Sequence, residues 1–211
     1  MLIFDMDGTL TDSNGIWKDV DIEFLARRGL PYTREYAQGV AHTIFPLAAE
    51  FTKAYAHLTE STDEIMAEWL EMAGDVYAKD VPVKPGVIPY LEQCRAQGER
   101  MVVLTSSVPQ HCRAALHHLN LEQYFEKIYF ANELMMEKKN PEIFRYAARD
   151  MGVPVEECTM FDDSISACRA AREAGMTVVG VHDPFFDDTQ AEMRQVCHRY
   201  ILNFEEMMSW R

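Results

Sequence analysis

Between residues 87 and 181 the chain repeats one pattern four times, a helical stretch followed by a short apolar run. "VIPYLEQCRAQG" precedes "RMVVLTSS", "PQHCRAALHHLNL" precedes "KIYFAN", "PEIFRYAARDMG" precedes "CTMFDDS", and "ISACRAAREAG" precedes "TVVGV". Gly98, Gly152 and Gly175 close three of these helices, as residues that accept the left-handed backbone of a helix end. Apolar runs without alternation belong to strands buried on both faces. Such strands alternating with helices of ten to fifteen residues build a parallel sheet through right-handed crossovers. Leu2-Ile3-Phe4 opens the chain with one more run of this kind, and "YILNF" near the end reads as a last edge strand. The expected fold class is α/β.

The roughly seventy residues between the first strand and this series contain no strand candidate. "IWKDVDIEFLARRG" places Ile16, Val20 and Phe24 on one helical face, and Gly29 ends it. "VAHTIFPLAAEFTKAYAHL" continues with Ile44, Leu47, Ala48, Phe51, Tyr55 and Leu58, with Pro46 as a kink or a first turn. "STDEIMAEWLEMAGDVYA" starts with Ser61 and Glu64 at capping-box spacing and carries a stripe of Ile65, Trp69, Met72 and Val76. "DVPVKPG" at 80–86 looks like the linker back. The expected organisation is an α/β core of residues 1–13 and 83–211, holding an all-helical insert at 14–82.

Thirty-four acidic residues against twenty basic ones give a formal charge of −14. That balance repels a phosphate backbone and argues against a nucleic-acid partner. A small anion stays admissible, because fields from exposed charges fade within about 8 Å at physiological salt. No apolar run reaches the roughly 20 residues that span a bilayer, and the N-terminus does not read as a signal peptide. Five scattered cysteines, with no C-x-x-C pair, fit reduced thiols in a cytoplasmic protein. A monomer is the default expectation.

Three strands stop at reactive residues. The first ends at Asp5-Met6-Asp7-Gly8-Thr9, another at Thr105-Ser106-Ser107, and a later one at Asp162-Asp163-Ser164. Asp is unfavourable inside a strand, and in an open parallel sheet ligands bind at the strand C-termini. Lys138 and Lys139 precede a helix that Asn140 would cap and Pro141 begin. Carboxylates for Mg²⁺, a lysine and helix N-termini for phosphate oxygens suit phosphoryl chemistry better than acyl or glycosyl transfer.

D-x-D-G-T-L-x-D-S, a strand ending T-S-S, a lysine before x-x-P-E-I-F, and D-D-S, all in order, resemble the haloacid dehalogenase superfamily. The resemblance runs through the whole core, including "PGVIPYLEQCRAQG" and "AAREAGM". It implies a Rossmann-like sheet in strand order 5-4-1-2-3, with the insert standing where the family carries a helical cap that closes over the site and selects substrate. It further implies that Asp5 is the nucleophile, forming an aspartyl-phosphate. Asp7 would be the general acid and base, lending its main-chain carbonyl to the metal. Thr105 and the Ser106 amide would bind the phosphoryl oxygens, and Lys138 would balance charge. Asp163 and Asp162 would complete the Mg²⁺ ligands with Asp5. The family usually has lysine-proline where this chain has Lys138-Lys139, so Lys139 stays an alternative. Ala167 replaces an acidic residue found in some relatives, which gives Asp162 more weight as a direct or water-mediated ligand.

The function expected is a Mg²⁺-dependent phosphatase acting on a small phosphorylated metabolite. One rival is a phosphosugar mutase of the β-phosphoglucomutase kind, but those mutases carry a histidine where this chain has Trp17. A second rival is a catalytically silent phosphometabolite-binding protein, which loss of Asp5, Asp7, Lys138 or Asp163 would favour. All four are present. Arg27, Arg28 and Lys53 read as solvated helix surface, His117-His118 likewise, and Met135-Met136 with Met207-Met208 as core filler.

Overall fold

The computed structural model describes residues 1–40 and 45–208, which form two compact units, Met1–Asn14 with Val81–Arg211 and Gly15–Asp80. In chain order the first elements are β1 (Leu2–Phe4), α1 (Asn14–Arg27), α2 (Arg34–Val40), α3 (Phe45–Tyr55), α4 (Thr62–Lys79) and α5 (Val87–Ala96). They are followed by β2 (Met101–Thr105), α6 (Pro109–His118), β3 (Lys127–Phe130), α7 (Pro141–Asp150), β4 (Thr159–Asp162), α8 (Ile165–Ala174), β5 (Thr177–Val181), α9 (Gln190–Val196) and β6 (Arg199–Ile201).

The first unit is a parallel sheet in the order β3-β2-β1-β4-β5-β6. This is the expected order, with the "YILNF" segment supplying the outer strand. β1 is central because its three residues pair on both sides: Ile3 stands opposite Val102 and Met160, and Phe4 opposite Val103 and Phe161. Ile3, Phe4, Val102, Leu104, Met160, Phe161 and Val178 are all fully buried, as strands covered on both faces must be. Phe4 stacks on Phe161 at 4.7 Å between ring centroids, tying the two central strands by side chain as well as backbone. The register matters for function: continuing it by one residue brings Asp5 level with Asp162, at the same sheet end as Thr105.

Gly8 has φ +76°, and its N–H donates to Thr11 O in a tight turn just past β1. Thr11 then forms an antiparallel bridge to Val83, so the segments leaving and re-entering this unit are paired. Beside them Lys84 makes a buried ion pair of 2.7 Å with Asp183. The five cysteines are buried and free. Among the described residues, no helix is long and apolar enough to cross a membrane.

In the second unit, α1 buries Ile16, Val20 and Phe24 as its spacing predicts, with Leu25 added. The capping box at α4 is formed: Ser61 Oγ accepts the Glu64 N–H, and Glu64 Oε2 accepts the Ser61 N–H at 2.8 Å. Several expectations need correction. α4 buries Ile65, Trp69, Ala73 and Tyr77, so its inner face is rotated and leaves Met72 and Val76 half-buried. In α3 the buried residues are Ala48, Ala49 and Thr52, while Leu47 is 50% exposed. Pro46 falls in the first turn of that helix, and Ile44 lies outside the described residues. α2 has no counterpart in the sequence reading, since seven residues with one buried side chain, Tyr36, carry no periodicity. Tyr36 Oη meets Thr52 Oγ1 at 2.8 Å and donates to Asp21 Oδ1, which explains a buried threonine.

Arg28 is not solvated helix surface. Its guanidinium pairs with Glu60 and Glu68 at 3.1 and 2.7 Å and lies over the Phe24 ring. Met135 is not core filler either: it has φ +52° and is 90% exposed, whereas Met136 packs against the core of the α/β unit. Met207 is buried and Met208 exposed.

Candidate active site

Asp5 follows β1 directly and its N–H extends the ladder to Phe161 O at 2.9 Å. Its Oδ1 lies 2.7 Å from Lys138 Nζ, and the same ammonium lies 2.7 Å from Asp162 Oδ2. Lys138 is brought there by the start of α7: Pro141 is the first helical residue, and Asn140 Oδ1 accepts the Glu142 N–H as cap. Its neighbour Lys139 turns away to pair with Glu137, with its side chain 68% exposed against 10% for Lys138. The structure thus brings Lys138, and not Lys139, to the two carboxylates.

Asp162 closes β4. Its Oδ1 accepts the Ser164 N–H at 2.9 Å, while buried Oδ2 has the lysine as ion-pair partner but receives no well-directed hydrogen bond. Asp163 receives two side-chain donors, Thr9 Oγ1 on Oδ1 at 3.3 Å and Asn14 Nδ2 on Oδ2 at 2.7 Å. Oxygens of Asp5, Asp162 and Asp163 lie within 4.8 Å of one another, and all three residues are buried.

Burial raises the Asp5 carboxyl to about 7, the nearby ammonium pulling it down and the charges of Asp162 and Asp7 pushing it up further. Asp163 is raised well above the ordinary carboxyl range, by burial first and then by Asp162 and Asp5. Burial alone would lower Lys138, but the charges of Asp162 and Asp5 outweigh it and hold the ammonium above its usual range. Three desolvated carboxylates facing one ammonium leave negative charge in excess, and hard oxygen donors match a divalent cation such as Mg²⁺. The residues therefore fit the metal that the sequence leads one to expect.

The carboxylate of Asp7 stands outside that trio. It is half-buried, and its Oδ1 accepts the Ser13 hydroxyl at 2.6 Å, with Thr11 Oγ1 a further 2.8 Å from Ser13 Oγ. Thr105 ends β2, the strand beside β1, and is buried; its Oγ1 accepts the Ser107 N–H at 3.0 Å, which leaves its own proton to donate. Ser106 is exposed.

Three contacting residues were missed by the sequence reading: Thr9, Ser13 and Asn14. Thr9 and Ser13 stood inside the quoted motif without an assigned contact. The signal for Asn14 was the turn itself, because Gly8 curls the chain back until the next residues face the Asp163 side chain. A Cβ on Gly8 would come within 2.1 Å of Asp163 Oδ2 and 2.2 Å of Asn14 Nδ2.

A family model described as haloacid dehalogenase-like hydrolase matches residues 1–175. The fructose-1-phosphate phosphatase YqaB of Escherichia coli is 30% identical over 190 residues, spanning 85% of this chain and 95% of that protein. A phosphorylated carbohydrates phosphatase of Thermotoga maritima is 25% identical over 83% of this chain and 81% of its own length. Among solved structures, a putative β-phosphoglucomutase from Thermotoga maritima superposes with a TM-score of 0.83 at 23% identity, over 95% of this chain and 93% of that one, a likeness of fold. With the site's four motif segments gathered at one end of a sheet of the same order, this chain belongs to the haloacid dehalogenase-like hydrolases.

Proposed function

We propose that this hydrolase is a Mg²⁺-dependent phosphatase that removes phosphate from a small phosphorylated carbohydrate or polyol by way of an aspartyl-phosphate. The carrying observation is the buried convergence of Asp5, Lys138, Asp162 and Asp163, with Asp7 two residues beyond the first of them. Several sequence-matched relatives are named phosphatases, including a hexitol phosphatase of Escherichia coli.

In this reading Asp5, Asp162, Asp163 and the main-chain carbonyl of Asp7 hold the cation. Bound there, Mg²⁺ would neutralise the repulsion between a carboxylate nucleophile and an anionic phosphoryl group. An Asp5 oxygen attacks phosphorus as the bond to the substrate oxygen breaks, and Asp7 gives that oxygen its proton. Water then attacks the aspartyl-phosphate, Asp7 takes the water's proton, and the Asp5–phosphorus bond breaks to release inorganic phosphate. Lys138 and the Thr105 hydroxyl steady the phosphoryl oxygens, and the Ser106 amide assists. The helical segment at 14–82 takes the part of the family's substrate-selecting cap, on the strength of its insertion after the first motif.

The mutase alternative loses ground at Trp17, whose indole offers no basic nitrogen where such mutases carry histidine. The solved β-phosphoglucomutase neighbour, at its level of identity, supports the fold alone. Release of inorganic phosphate from a panel of sugar, polyol and carboxylic-acid phosphates tests the proposal. Turnover should vanish with a chelator and return with Mg²⁺. Hexose-phosphate interconversion without released phosphate would establish the mutase, and binding without turnover the silent protein.

A further inference from the structure

We infer that Asn14 is a positioning residue for the metal site, its side-chain amide, together with the Thr9 hydroxyl, fixing the Asp163 carboxylate in the orientation in which it meets the cation. The inference rests on the Mg²⁺ reading above.

An aspartate carboxylate turns about a broad, roughly two-fold torsion unless something holds it. Here both oxygens are held, Oδ1 by Thr9 at 3.3 Å and Oδ2 by Asn14 at 2.7 Å. Both donors follow Gly8 in the chain, Thr9 within the turn and Asn14 just beyond it, so one backbone feature places both. That turn admits no side chain at residue 8, whose Cβ would fall within 2.2 Å of both the Asp163 oxygen and the Asn14 nitrogen. The asymmetry among the acids supports the same conclusion. Asp5 and Asp162 each lie 2.7 Å from the Lys138 ammonium, whereas the hydrogen bonds that hold Asp163 come from two neutral donors, Thr9 and Asn14. Neutral donors orient a carboxylate without cancelling the charge that attracts a cation. An acidic residue at position 14 would bring a further carboxylate against Asp163 and supply no proton to it. Asn14 belongs to the α/β unit although α1 continues into the helical one, so the argument needs the α/β unit alone.

Partners of this kind, one step behind a ligand, typically change metal affinity by about 10–100-fold when lost. Calorimetric titration of Mg²⁺ into the full metal-free chain is the test, for the unmodified protein, Asn14→Ala and the similarly sized Asn14→Leu. Circular dichroism and thermal unfolding confirm that each is folded, and Asn14→Leu is read if Asn14→Ala is not. The expected result is a Kd for Mg²⁺ raised about 10–100-fold, with KM for a phosphoester at saturating Mg²⁺ unchanged. A rise below about fivefold in a folded variant, beside clear binding by the unmodified chain, overturns the role of Asn14 and leaves the metal reading standing. No binding by the unmodified chain overturns both.

Discussion

The two units are stabilised by different means. In the α/β unit the polar side chains that are buried gather at one sheet end, where carboxylates crowd around a single ammonium and burial drives two of them upward in pKa. In the helical unit Tyr36 is matched with Thr52 and Asp21, and half-buried Arg28 with Glu60 and Glu68, while Arg28 Nε and Trp69 Nε1 are buried without a hydrogen-bond partner. Unmatched buried charge costs stability and matched polar pairs recover it. The contrast teaches that the first unit is strained where it would do chemistry, while the second spends its polar groups on holding itself together.

The comparison breaks most visibly if Asp5→Asn leaves turnover intact. The expected loss is on the order of 10⁴-fold or more, since a nucleophile has no substitute. Thermal unfolding without metal should show the variant at least as stable as the unmodified chain, because a desolvated charge has gone. Trp69→Ala probes the other unit, where the indole packs edge-on against Phe24 and Phe45. It should cost about 3–5 kcal/mol, and hydrogen exchange should place the loss in the helical unit. Ser13→Ala sharpens the contrast: removing the hydroxyl that donates to Asp7 Oδ1 should lower kcat by about 10–100-fold with little change in unfolding temperature.

The smallest effect concerns pH. Asp21 is raised to about 6 by burial, against the pull of the Tyr36 hydroxyl. Its folded pKa is above its unfolded one, so between about pH 4 and 6 the folded state binds more protons and stability falls as pH rises. Asp21→Asn should therefore gain about 1–2 kcal/mol at pH 7, after allowance for partial exposure, and nothing at pH 3. Unfolding temperatures at the two pH values check it; a gain equal at both would sink the assignment.

Most of the α/β unit was legible because its signals are local. Continuous apolar runs, Gly98, Gly152 and Gly175 at helix ends, and Asn140-Pro141 at the start of α7 each act within a few residues. The helical unit was legible in outline only. Periodicity says that a helix has an apolar side, but neighbours decide which side is covered, hence the rotated stripe of α4 and the exposed Leu47. α2 carried too few apolar residues to announce itself, and Thr52 went inside because Tyr36, from another helix, offered it a partner.

By itself, the sequence determined the sheet, its strand order through the family resemblance, and the acids, hydroxyls and lysines that end its strands. Each rests on covalent neighbours or on the rule that parallel strands share one C-terminal end. Only the tertiary structure decided that Lys138 and not Lys139 turns inward, that Ser13 reaches Asp7, and that Asn14 reaches Asp163. Those outcomes depend on distances of a few ångströms between residues as many as 149 positions apart, set by strand register and by one glycine turn.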